Sequence, residues 1–162
     1  MTITVGTDTY ATLAEADAYA SARSWADWAA LTDAVKESRL TDAALYIDTS
    51  YTFKGVITSS AQVMAWPRTG VEDSEGRLIA SDAYPERLKA AQIEYARLAS
   101  SGLVTNDTAG DVKAIQAGSV AITFKDRQTA SEAARYRSID RLLTGLYTAR
   151  AGLLRNVRLG KA

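Results

Sequence analysis

The side chains best placed to do chemistry are acidic. Glu72, Asp73 and Glu75 crowd one stretch between Gly70 and Gly76. Paired carboxylates can serve a hydrolase or hold an oxygen-liganded cation. Their order does not match a calcium loop, and a solvated turn accounts for them far better. The 162 residues include no His and no Cys. That excludes Ser-His-Asp triads, thiol nucleophiles, imidazole bases, disulfides and zinc sites built on thiolate or imidazole. A phosphate-cradling glycine loop is missing too, because Gly70 and Gly76 are far apart and no Gly-Lys-Ser/Thr follows. No residue is therefore assigned as catalytic, cofactor-binding or metal-ligating, and the expectation is a protein that is not an enzyme and carries no cofactor.

Two further features point to binding. Trp66-Pro67-Arg68, closed by Gly70, is the most distinctive short segment. Trp and Arg are frequent anchors at interfaces, so these four residues form either an inter-subunit contact or a structural loop. In the structural case, Trp66 is buried and Arg68 is paired to a nearby acid. The second feature is charge. Residues 1–124 carry 10 basic and 16 acidic side chains, a net of −6, whereas residues 125–162 carry 9 and 3, a net of +6. The chain's end mixes apolar and basic groups: Leu153, Leu154, Arg155, Val157, Arg158 and Leu159. Such a segment suits docking to an acidic partner, to nucleic acid, or to its own acidic body. The aromatics Tyr19, Trp25, Trp28, Tyr46 and Tyr51 lie at helical spacing in the acidic part, which fits core packing better than base stacking.

The elements that position these residues read as mainly α: a small helical bundle with a β-hairpin arm and an extended C-terminal tail. The helical domain with its hairpin arm spans 1–148 and the docking tail 149–162. Thr12-Leu-Ala-Glu15 is a capping box for a helix to about Ser24. Thr32 or Asp33 starts a helix to about Thr52, with Gly55 as its stop, and Val35, Leu40, Ala44, Leu45 and Ile47 among its apolar members. Residues 55–83 read as irregular, with one helical turn over Gln62–Trp66. Pro85 opens a third helix that runs to Ser101, where Gly102 caps it. Residues 112–124 form the hairpin, with Val120, Ile122 and Phe124 on one face. A last helix covers about Ser138–Tyr147. No secretory signal and no membrane-spanning run are visible.

In order along the chain stand Tyr10-Ala-Thr-Leu-Ala-Glu-Ala-Asp-Ala-Tyr19, Tyr46-Ile-Asp48, Tyr51-Thr-Phe-Lys-Gly55, Gln62-Val-Met-Ala-Trp-Pro-Arg-Thr-Gly-Val71, Asp73, Gly76, Pro85 and Leu88-Lys-Ala-Ala-Gln-Ile-Glu94. Across residues 9–147 this pattern resembles the head–tail connector (adaptor, head-completion) proteins of tailed bacteriophages. Relatives of that kind are often labelled DnaT-like single-stranded-DNA-binding proteins. The resemblance implies a ring, usually of twelve copies, seated under the portal protein. Such a ring extends the DNA channel, joins capsid to tail and receives a tail or head-completion protein. It further implies a place in the virion neck after assembly in the host cytoplasm, a tail segment that reaches the portal, and genomic DNA that passes without specific binding. The alternative is a single-stranded-DNA-binding accessory protein of replication.

Overall fold

The structure is a computed structural model that describes residues 2–98, 114–117, 120–123 and 137–150. Helix α1 (Leu13–Ser21) starts where the sequence places it. The Glu15 backbone N–H donates to Thr12 Oγ1 at 3.1 Å, and the Thr12 N–H donates to Glu15 Oε2 at 2.7 Å. A cap of this kind stabilises a helix by about 1 kcal/mol. The helix ends three residues earlier than expected, and Ser24, at φ 54°, turns the chain into the short helix α2 (Ala26–Ala29). Helix α3 (Asp33–Ser50) and helix α4 (Glu86–Leu98) pack on each other. Leu40, Ala43, Ala44 and Ile47 are buried on the first, and Leu88, Ala91, Tyr95 and Ala96 on the second. The rings of Tyr46 and Tyr95 stack between them with centroids 4.0 Å apart. Each large aliphatic side chain fully removed from water here contributes roughly 1.5–3 kcal/mol.

Strands complete the frame, so the described chain is mixed α/β with helices dominant. Residues 51–53 leave the helical path. They form β1 (Tyr51–Phe53), while β2 (Val56–Ile57) pairs antiparallel with β3 (Arg68–Thr69). The hairpin pairs within the chain as β4 (Ala114–Ala117) and β5 (Val120–Thr123), with Ala117 opposite Val120. Residues 137–143 are helical (α5), and the chain then forms β6 (Tyr147–Arg150) on β1, with a register shift between Thr52 and Phe53. Tyr51 donates its hydroxyl hydrogen to Asp140 Oδ1 at 2.6 Å, and Lys54 N–H donates to the Leu146 carbonyl at 2.9 Å. Ile139, Leu143 and Leu146 thereby close the core. No helix among the described residues is long and apolar enough to cross a membrane.

Several expectations are corrected. The second helix stops at Ser50 rather than Thr52, because the aromatic pair Tyr51 and Phe53 is drawn into a strand by β6. Val35 and Leu45, counted with the apolar members of α3, are exposed at 40% and 65%. The stretch Gln62–Trp66 is a series of bends, not a helical turn. The last helix ends at residue 143, four residues short, and Tyr147 belongs to β6. Ala149 and Arg150, placed in the tail by composition, complete that strand. Phe124, Gly102 and the segment Leu153 to Leu159 lie outside the described residues.

Candidate functional site

The Trp66 segment is built from backbone groups held by side chains. Gln62 accepts from the Thr58 and Ser59 N–H groups at 3.0 and 3.2 Å, and donates to the Met64 and Pro67 carbonyls at 2.8 and 3.1 Å. Both amide hydrogens and both lone pairs are thus in use. Arg68 does not pair with an acid as expected. Its guanidinium donates to three carbonyls: Lys54 from Nε at 2.6 Å, Ala65 from Nη1 at 3.0 Å and Gly55 from Nη2 at 2.9 Å. Three fixed donors on a planar fork tie the turn before β2 to the segment before β3 in a way an ammonium could not. At Gly55, φ is +68°, and a Cβ there would stand 2.3 Å from the Thr69 carbonyl oxygen, so the close approach of the two strands requires glycine. Gly70, at φ +75°, turns the chain out of β3.

Trp66 is fully buried, follows the edge-to-face geometry of a core aromatic against Phe53 (centroids 5.7 Å apart), and precedes Pro67 through a cis peptide bond. Its Nε1 has no hydrogen-bond partner among the described residues. Of the four motif residues, Trp66 and Arg68 therefore face inward and build the loop rather than present it. The displayed side chains are others. Val56, Ile57, Val63 and Leu78 are exposed at 67, 45, 75 and 74%. Sequence reading missed these four, because aliphatic residues in a segment without period carry no sign of which way they face.

A polar chain joins this loop to the core. Asp48, on α3, accepts from the Tyr10 hydroxyl and, at 2.9 Å, from the Ala65 N–H. Burial raises the Asp48 carboxyl above the ordinary carboxylate range, against the pull of the Tyr10 hydroxyl, the Ala65 N–H and the nearby Arg68 charge. Burial, followed by the Asp48 charge, pushes the Tyr10 hydroxyl far above its ordinary value. The Tyr10 backbone N–H donates in turn to Gln92 Oε1 at 3.0 Å, as does that of Ala11. Gln92 Nε2 donates to Thr9 Oγ1 and to the Leu40 carbonyl, at 2.5 and 2.8 Å.

Several of the body's cations are similarly engaged. Lys36, almost buried, donates to Asp17 Oδ1 at 2.9 Å, and the Trp28 Nε1–H donates to the same oxygen at 2.8 Å. Burial pulls the Asp17 carboxyl up, but these two donors hold it below its ordinary value. Arg97 pairs with Asp27 at 2.8 Å and stacks over Trp25, and Lys89 reaches Glu15 at 2.8 Å and Glu86 at 3.1 Å. Arg77 pairs with Asp73 at 2.8 Å and with Glu75 at 3.3 Å, so the acidic turn is neutralised in part from within. Among the described residues no group of three or more acidic side chains is arranged to hold a metal ion.

A family model described as "Putative DnaT-like ssDNA binding protein" matches residues 2–160. The chain belongs to this family. The match to the DnaT-like family takes in both glutamine-centred networks, the hairpin and the basic C-terminal stretch. No curated protein and no solved structure matches the chain.

Proposed function

We propose that this chain is a structural connector that forms a ring under a phage portal, extends the DNA channel and joins capsid to tail, with no catalytic role. The observation that supports this reading is how the body uses its charges and rings. Lys36, Arg68, Arg77, Lys89 and Arg97 all bond within the chain, and Trp28, Trp66, Tyr10 and Tyr95 are buried. Binding to nucleic acid needs presented cations, and base stacking needs open aromatic faces. Exposed Lys54 and Arg87 remain, but much of the described body's charge and ring surface is used within the chain, which suits a channel wall along which DNA slides. Portal docking then falls to Leu153, Leu154, Arg155, Val157, Arg158 and Leu159, whose mixture of apolar and basic groups fits an acidic groove. Ring valency makes such single weak contacts cumulative.

The second reading is single-stranded-DNA binding, and the description of the matched family favours it. Its contacts would come from the basic residues after 124, where 9 of the chain's 19 cations lie. One pair of measurements separates the two. The full chain and a version ending at Arg150, which leaves β6 whole, are co-purified with the portal protein encoded alongside and imaged. The connector reading expects a ring on the tail-facing side of the portal, lost on truncation. In parallel the full chain is titrated with an oligonucleotide across a salt series. Tight binding that weakens steeply with salt, without portal association, would overturn the connector in favour of the second reading.

A further inference from the structure

We infer that the corner where α1, α2 and the first turn of α3 meet is a binding site for a small planar ligand, an aromatic ring that carries a neutral amide or lactam edge. The inference stands apart from the connector reading and holds or falls without it. A cavity of about 440 Å³ opens at this corner, a volume within the range of small-molecule sites. Trp25, Trp28 and three alanines line it. Indole walls of this kind favour a flat aromatic guest. Arg97 already stacks over Trp25, with Asp27 as its partner.

The polar groups decide what that guest must carry. Lys36 lines the cavity and is only 7% exposed. An ammonium has three hydrogens to donate. Among the described residues Lys36 gives one hydrogen bond, to Asp17 Oδ1 at 2.9 Å, because Asp33 Oδ1 at 3.9 Å is too far for a second. Asp17 Oδ1 takes the Trp28 bond as well, which leaves Oδ2 as an acceptor. Donor and acceptor therefore stand side by side at the cavity. Ser24, also in its lining, has φ 54°, and its hydroxyl bonds to none of the described residues. Glycine would take that backbone shape without strain, so the fold alone does not call for a serine there. A carboxylate guest would meet two like charges, Asp17 and Asp33. A cationic guest would stand beside the Lys36 charge and leave its donors idle. A neutral amide offers a carbonyl to Lys36 and an N–H to Asp17 from neighbouring atoms, and brings no charge to desolvate.

Benzamide, benzoate and benzamidine share one aromatic ring and differ in the head group, so they test this directly. Each is titrated into the full, isotope-labelled chain, and the indole N–H signals of its three tryptophans are followed. Benzamide is expected to move the Trp25 and Trp28 signals saturably and to leave that of Trp66, which packs on Phe53 elsewhere, in place. Benzoate and benzamidine are expected to bind about tenfold more weakly. An equal response to all three would mean that the aromatic ring merely settles on indole, and would overturn the inference. So would a benzamide shift that never saturates, or none at all. Asp17→Asn sharpens the test: it keeps the oxygen that Trp28 and Lys36 bond and turns the other into an N–H donor. Benzamide should then lose about tenfold and benzoate should overtake it. The same order of affinity in the variant, with the Trp66 signal unmoved as a sign of an intact fold, would also overturn the inference.

Discussion

Two glutamines do the same work in two different surroundings. Gln92 sits fully buried in α4, and Gln62 sits half-buried in the loop before Trp66. Each uses both of its amide hydrogens and both oxygen lone pairs on the chain. Gln92 ties the N-terminal segment and α3 to α4, where water cannot stand in for it. Gln62 ties a loop to itself, and the Thr58 and Ser59 groups it holds are on exposed residues. The cost of losing such a hub depends less on the number of its bonds than on whether water can replace them.

The largest effect is therefore expected at Gln92. Gln92→Leu keeps the bulk but removes the acceptor of the buried Tyr10 N–H and leaves the Ala11 N–H with only the Thr9 hydroxyl at 3.4 Å, while the Leu40 carbonyl keeps its bond within α3. A buried group left without a good partner costs about 1–3 kcal/mol, so the loss over these two is on the order of 2–5 kcal/mol. Urea denaturation reads it as a lower midpoint at unchanged slope. A loss under about 1 kcal/mol would mean that water reaches the site and that the two glutamines do not differ.

Gln62→Ala should cost much less, about 1 kcal/mol, and the cost should be local. Amide hydrogen exchange is the sharper reading. Thr58 and Ser59 should exchange faster, while the amides of α4 keep their protection. Loss of protection throughout α4 would show that the loop and the core unfold as one unit, which would erase the distinction.

How far this was legible beforehand follows the same division. The capping box, α4 and the hairpin pairing rest on local signals: a Thr and a Glu three apart, a proline at a helix start, two residues between short strands. All three are present in the structure. Strand β1 was not legible, because its partner β6 lies nearly a hundred residues away and three aromatic-rich residues after a helix read as more helix. Trp66 and Arg68 were recognised as special, but their direction was not. Arg68 binds carbonyls, which leave no trace in side-chain composition. Exposed Val56 and Ile57 were hidden for a related reason: at two residues, β2 is too short to show a period.

Asp48 joins the two regions, and its titration offers the finest test of that join. Through Tyr10 it reaches the Gln92 hub, and through the Ala65 N–H it reaches the loop. Its carboxyl is raised in the folded protein, chiefly by burial. A raised carboxyl favours the protonated form on folding, so its contribution to stability is fully present below the unfolded value and is lost as pH rises through the folded one. Glu15, Asp17, Asp27 and Asp73 are lowered and act in the opposite sense, losing stability as pH falls. The overall curve mixes both, but the difference between the native chain and Asp48→Asn isolates one group. Asparagine mimics the neutral acid. The variant should therefore gain on the native chain at neutral pH, and the gain should shrink as pH falls from neutral into the carboxylate range. Paired denaturation curves across that window read the change. A difference that stays flat with pH would mean that Asp48 is solvated and that the core and the loop are joined by packing alone.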